Sequence, residues 1–118
     1  MKTSELLGND LDWAVAKCEG IDVYEQIGYG DGGYLYTTLP SGEEMSFAPS
    51  IYWERGGPII EQWMIDCNTY RNGWRAARHV STAPTYGYGP TILIAAMRCY
   101  VASKMGEEIN IPNEVSST

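Results

Sequence analysis

Apolar positions are densest between Pro90 and Gly106. There Leu93, Met97, Tyr100 and Lys104 fall on one helical stripe with Ala96, Cys99 and Val101 beside it, while Ile92, Ala95 and Ala102 widen the apolar surface almost all the way round. Pro90 suits the first helical position, where its missing N–H costs nothing, and Gly106 suits the turn that ends a helix. The pattern predicts a helix over about 90–105. Being apolar over most of its circumference, it must be enclosed by other elements, since each buried Leu or Ile contributes roughly 1.5–3 kcal/mol. A shorter series, Leu11, Ala14, Val15 and Cys18, predicts an amphipathic helix over about 10–19. Asn9 or Asp10 caps it, Asp12 favours its positive end and Gly20 stops it.

Between the helices the period shortens to two. Residues 21–27 alternate apolar and polar side chains, and 34–39 have high strand propensity, so the two runs read as an antiparallel hairpin across the Gly-rich loop 28–33. Residues 40–43 form a turn. Pro49 interrupts 45–53, which is expected to be mostly irregular. Residues 59–66 fit a helix or a strand; the strand is the expectation, because 67–71 extends it and Asn72-Gly73 is a hairpin turn signal before a return strand over 74–80. That return strand puts Trp74, Ala76, Arg78 and Val80 on one face. Residues 81–89 read as a Pro, Gly and Tyr loop, 109–112 as a short edge strand, and 113–118 as a fraying tail. The fold expected is α+β: one domain over 1–118, an antiparallel sheet packed around the long C-terminal helix, with the short N-terminal helix beside it.

The chain has 118 residues and a formal charge of −7, with eight Lys and Arg in all. That balance argues against duplex nucleic acid, which needs a dense positive footprint. Cys18, Cys67 and Cys99 cannot all pair and form no CxxC, which points to reduced thiols in a cytoplasmic setting. The longest apolar run, 92–97, is too short to span a bilayer, and the N-terminus carries no apolar signal core, so a soluble protein is expected. Nine Tyr and four Trp stand against one Phe, a balance that favours rings at boundaries between core, solvent and ligand.

Three segments, Leu11-Asp12-Trp13-Ala14-Val15-Ala16-Lys17, Gly56-Gly57-Pro58-Ile59-Ile60-Glu61 and the block from Gly89-Pro90-Thr91 to Ala102-Ser103-Lys104, together resemble the NinX-like family of small tailed-phage proteins in order and spacing. The loop 28–33 and the region 68–84 look individual to this chain. The resemblance implies a phage-encoded accessory protein acting in the cytoplasm of an infected bacterial host, and it brings no catalytic residues with it.

The residues themselves offer little catalysis. His79 is the sole histidine, and no serine stands in a recognisable nucleophile elbow, so no triad is legible. No metal-ligand spacing and no phosphate-binding loop occur, and the Gly-rich run 28–33 is followed by a strand pattern where a dinucleotide site needs a helix. No enzyme activity, cofactor or metal is expected. The informative feature is a concentration of aromatic and basic residues: Trp53, Arg55, Arg71, Trp74, Arg75, Arg78, His79, Tyr86 and Tyr88. Four of the five arginines lie between Arg55 and Arg78, a positive region within an acidic chain. Aromatic faces stack on nucleobases and arginines fork onto phosphate oxygens, so these nine residues are candidates for binding a small nucleotide-derived anion. Interfaces use the same residue types. The expectations are therefore a homo-oligomeric phage protein that sequesters such a ligand, for example a host immune signal, without turnover, or alternatively a module that engages a host protein through its aromatic and acidic surface. Arg98, on the core helix, is expected to pair with a carboxylate or a neighbouring subunit.

Overall fold

The computed structural model describes residues 1–25, 34–79 and 83–111. The elements run in the order of a 3-10 turn (Thr3–Glu5), α1 (Gly8–Glu19), β1 (Tyr24–Glu25), β2 (Leu35–Thr38), β3 (Glu44–Phe47), α2 (Trp53–Gln62), β4 (Asp66–Tyr70), β5 (Gly73–His79), β6 (Pro84–Gly89) and α3 (Ile92–Met105). Two antiparallel sheets result, β1-β2-β3 and β4-β5-β6, so the class is α+β as the pattern predicts. The loop 28–33, Val80 and the tail 113–118 lie outside the described residues.

α3 is the centre of the core. Leu93, Ala95, Ala96, Met97, Cys99, Tyr100 and Val101 are all buried on it. The helix starts later than the sequence suggests: Thr91 is the N-cap, its Oγ1 accepting the Ile94 N–H at 3.1 Å, and Pro90 lies outside. At the other end Gly106 takes a φ of 90°. α1 likewise ends on Gly20 in the left-handed conformation, but it begins at Gly8, which puts Asn9 and Asp10 inside the first turn instead of at the cap.

α2 is the main departure from the expected elements. Residues 59–65 are not a strand, because the chain from Trp53 to Gln62 is helical with Pro58 inside it, and the expected strand begins only at Asp66. Gly56, Gly57 and Pro58 are poor helix formers, which hides the helix from a propensity reading. Yet Gly56, Ile59, Ile60 and Trp63 follow the helical i, i+3, i+4, i+7 spacing, and Gly56 and Ile59 are buried. A Cβ on Gly56 would overlap the Pro49 carbonyl and the Leu93 side chain, so the weak helix former is what permits this packing. Met64, at φ 50°, closes the helix in the position glycine favours.

Three smaller corrections concern the sheets. β3 is a strand where irregular chain was expected, since Pro49 falls two residues beyond its end. β6 occupies most of the expected 81–89 loop; its alternation of Tyr86 and Tyr88 with Gly87 and Gly89 is a strand period carried by residues that usually mark loops. The β4–β5 hairpin turns on Arg71 and Asn72, because Gly73 already pairs with Tyr70. Arg71 takes the left-handed φ of 55° that the turn requires. Among the described residues, 109–111 add no edge strand to either sheet. The N- and C-terminal segments meet instead in a bridge between Lys2 and Glu108.

The β4-β5-β6 sheet lies against α3. A Cβ at Gly87 would overlap the Ala95 carbonyl and the Cys99 backbone, so β6 and α3 touch main chain to main chain. Cross-strand partners share a face of an antiparallel sheet. Thr69, Trp74 and Gly89 therefore lie on the inner face with Cys67, Ala76 and Gly87, and Asn68, Arg75 and Tyr88 lie on the outer one.

Candidate functional site

The alternation that buries Ala76 and Gly87 turns Tyr70, Arg75, Tyr86 and Tyr88 outward together. Arg75, directly across from Tyr88, spreads diagonally over the Tyr70 ring at 5.3 Å and the Tyr86 ring at 5.5 Å. Arg71 approaches Tyr70 at 5.2 Å from the hairpin turn. Tyr70 and Tyr88 pack with ring centroids 5.3 Å apart, and Tyr86 and Tyr88 are each nearly half exposed. Each guanidinium thus has a π-face occupied by a ring, while its N–H edge remains available. Among the described residues, neither Arg71 nor Arg75 has a carboxylate within ion-pair distance; the ion pair present there joins His79 to Asp66 at 3.4 Å, exposed at the other end of the sheet. Two uncommitted arginines beside one tyrosine make a local positive field on an acidic chain.

The nine expected site residues do not form one cluster. Arg71, Arg75, Tyr86 and Tyr88 come together on the outer face, joined by Tyr70, which is not one of the nine. Arg78 is on the opposite face, as strand parity requires. It donates from Nη1 to Ser103 Oγ at 2.7 Å and lies over the Trp63 ring at 4.6 Å, with Lys104 on the same ring at 4.0 Å. It is part of the packing between β5 and α3. Arg55 is separate again, donating to Met45 Sδ beside β3. Among the described residues Arg98 pairs with no carboxylate: its Nε donates to the Leu6 carbonyl at 2.8 Å and its Nη1 to the Tyr88 carbonyl at 2.7 Å.

Trp53 and Trp74 flank a cleft of about 450 Å³ at the start of α3, closed by Ser50, Ile51, Pro90 and Leu93. A shallow depression at the end of the outer face contains Tyr70, Arg71, Tyr88 and again Trp74 and Pro90, so the two hollows adjoin. A larger cleft, about 610 Å³, runs between β6, α3 and the N-terminal segment, where Glu107 and Glu108 offset the charges of Lys2 and Arg98 and Arg98 is spent on carbonyls. It has no net positive charge to draw an anion.

Behind the tryptophan cleft lies the residue the sequence reading missed. Asp12 is fully buried, and its Oδ1 accepts the Ser50 backbone N–H at 2.9 Å. Burial pushes its carboxyl up to about 7, against the lowering effect of the Ser50 backbone and hydroxyl. Among the described residues, Oδ2 and the Ser50 hydroxyl are buried with no hydrogen-bond partner of good geometry. A helical wheel marks Leu11, Ala14 and Val15 as buried, and Asp12 reads as an ordinary acidic residue near a helix start; only the approach of Ser50 distinguishes it.

Nucleophilic chemistry finds no support in the thiols. Burial raises Cys99 to about 12 and Cys18 to about 11, and raises Cys67 as well, so all three hold their protons at neutral pH. Among the described residues no three His, Cys, Asp or Glu side chains come together to hold a metal ion, and no helix is long and apolar enough to cross a membrane. In comparisons with known proteins, the family model described as Bacteriophage P22, NinX matches residues 2–104. No curated protein matches the chain.

Proposed function

Because the chain belongs to the phage P22 NinX family, we propose that it is an accessory protein that binds and sequesters a small nucleotide-derived anion in the cytoplasm of the infected host, without turning it over. One observation carries this reading: Arg71 and Arg75, their faces stacked on Tyr70 and Tyr86, have no carboxylate partner among the described residues on an exposed face. Charge-assisted, bidentate bonds from such edges to phosphate are the strong kind, and stacking pre-orients the donors so that less side-chain freedom is lost on binding. A host immune signal such as a cyclic nucleotide or an ADP-ribose derivative has the matching chemistry, with phosphate oxygens for the arginines and a base for the rings.

The experiment is thermal unfolding of the protein against cyclic dinucleotides, cyclic oligonucleotides, cyclic mononucleotides and ADP-ribose derivatives. A ligand at 100 times its dissociation constant stabilises by about 2.7 kcal/mol and raises Tm by several degrees. A selective rise, with the compound recovered intact, supports sequestration. A flat panel overturns it and favours the second reading, a module that engages a host protein. That alternative has its own observation: the depression at Tyr70, Arg71 and Tyr88 is open and shallow, with exposed Tyr86 on the same face, and has the aromatic and arginine composition of interface hot spots.

A further inference from the structure

We propose that the cleft between Trp53 and Trp74 receives the base of the nucleotide whose phosphate the neighbouring arginines hold; the inference rests on the anion-binding reading above. The two indoles bound one cleft of about 450 Å³ and make no ring contact with each other, so their faces are not consumed by mutual stacking. Trp53 is 55 % exposed, a large apolar surface to leave in water unless something covers it. Ile51, Pro90 and Leu93 supply apolar walls that match the flat, weakly polar faces of a base.

Position argues for a nucleotide over an isolated aromatic ligand. Trp74 and Pro90 belong both to this cleft and to the depression holding Tyr70, Arg71 and Tyr88. A ligand that places a ring beside Trp74 therefore meets the positive end of the outer face at its other extremity. Aromatic stacking at one end and unpaired guanidinium edges at the other are the two halves of nucleotide recognition. Trp74 lines both hollows from the start of β5, where its β6 partner Gly89 brings no side chain.

The test is a titration of cyclic AMP, cyclic di-GMP and ADP-ribose, with ribose 5-phosphate as the base-free probe, followed by tryptophan fluorescence and calorimetry. Trp53→Ala is the main variant, because an exposed side chain is removed with little cost to folding; Trp53→Phe keeps a ring. The nucleotide bound by the parent is expected to lose at least about fivefold in affinity in Trp53→Ala and to recover in Trp53→Phe. Ribose 5-phosphate is expected to be indifferent to Trp53 and to respond to Arg75→Ala. A nucleotide weakened by Arg75→Ala but by less than about fivefold in Trp53→Ala overturns the base assignment and leaves the anion-binding reading standing. Failure of every nucleotide to bind the parent overturns both.

Discussion

Asp12 on α1 accepts the backbone N–H of Ser50 at 2.9 Å across 38 positions of sequence, tying the first helix to the loop that launches α2. The bond places a carboxyl where no solvent reaches it. Its cost is set by protonation. The folded pKa of about 7 exceeds the ordinary 3.8, so between roughly pH 4 and 7 the folded state holds a proton that the unfolded state has released. Stability from this group is fully present below pH 4, falls as pH rises through that window and levels off above it. The span is on the order of 2–4 kcal/mol. Asp12→Asn keeps an oxygen for the Ser50 N–H and removes the charge. Urea unfolding from pH 4 to 8 is expected to lose most of that slope, leaving the variant at least as stable as the parent at pH 8. A slope unchanged in the variant places its origin elsewhere.

Arg75 and Arg78, three residues apart on one strand, are expected to separate binding from stability. Arg75→Ala removes stacking on exposed tyrosines, worth about 1 kcal/mol or less of stability, and about 1.5–3 kcal/mol of binding to a phosphate-bearing ligand. Arg78→Ala removes the Ser103 hydrogen bond and the Trp63 stack inside the fold, lowering stability by about 1–3 kcal/mol while ligand affinity holds. Calorimetric titration beside chemical denaturation reads both quantities; equal effects on affinity would remove the division of the two faces.

Gly87 has no room for a side chain, since the α3 backbone at Ala95 and Cys99 fills the space. Gly87→Ala should force β6 and α3 apart and lower the urea midpoint by the equivalent of at least about 1–3 kcal/mol. An unshifted midpoint would show that the sheet and α3 can part without cost.

Met64 sits at φ 50° and is 81 % exposed, so its side chain contributes little to offset its backbone strain. Met64→Gly is expected to raise stability by about 0.5–1 kcal/mol, the relief of the left-handed conformation less the entropy glycine adds to the unfolded chain. A fall in Tm would mean the methionine makes a contribution its exposure does not suggest.

Periodicity legible in the chain identified α1, α3, the β1–β2 pairing and the β4–β5 hairpin, because each has its hydrophobic spacing and its stop signals within a dozen or so residues. α2 and β6 escaped for a common reason. Both are written in glycine and proline, whose local preference is for turns, and both are held by what lies across from them: Gly56 against Pro49 and Leu93, Gly87 against the α3 backbone. Composition also located the arginine and aromatic region, but parity along β5 decided that Arg75 faces outward and Arg78 inward.

The α+β class, the enclosed C-terminal helix and the residue types from which a site is assembled are all written in local spacing and composition, and three segments of the chain carry the likeness to the family. Which of those residues meet is settled by packing across the fold. Tyr70 joins Arg75, Trp53 faces the same cleft as Trp74, and Asp12 finds Ser50 because of the way helices and sheets pack, and packing joins positions far apart in the chain whose pairing no local pattern records.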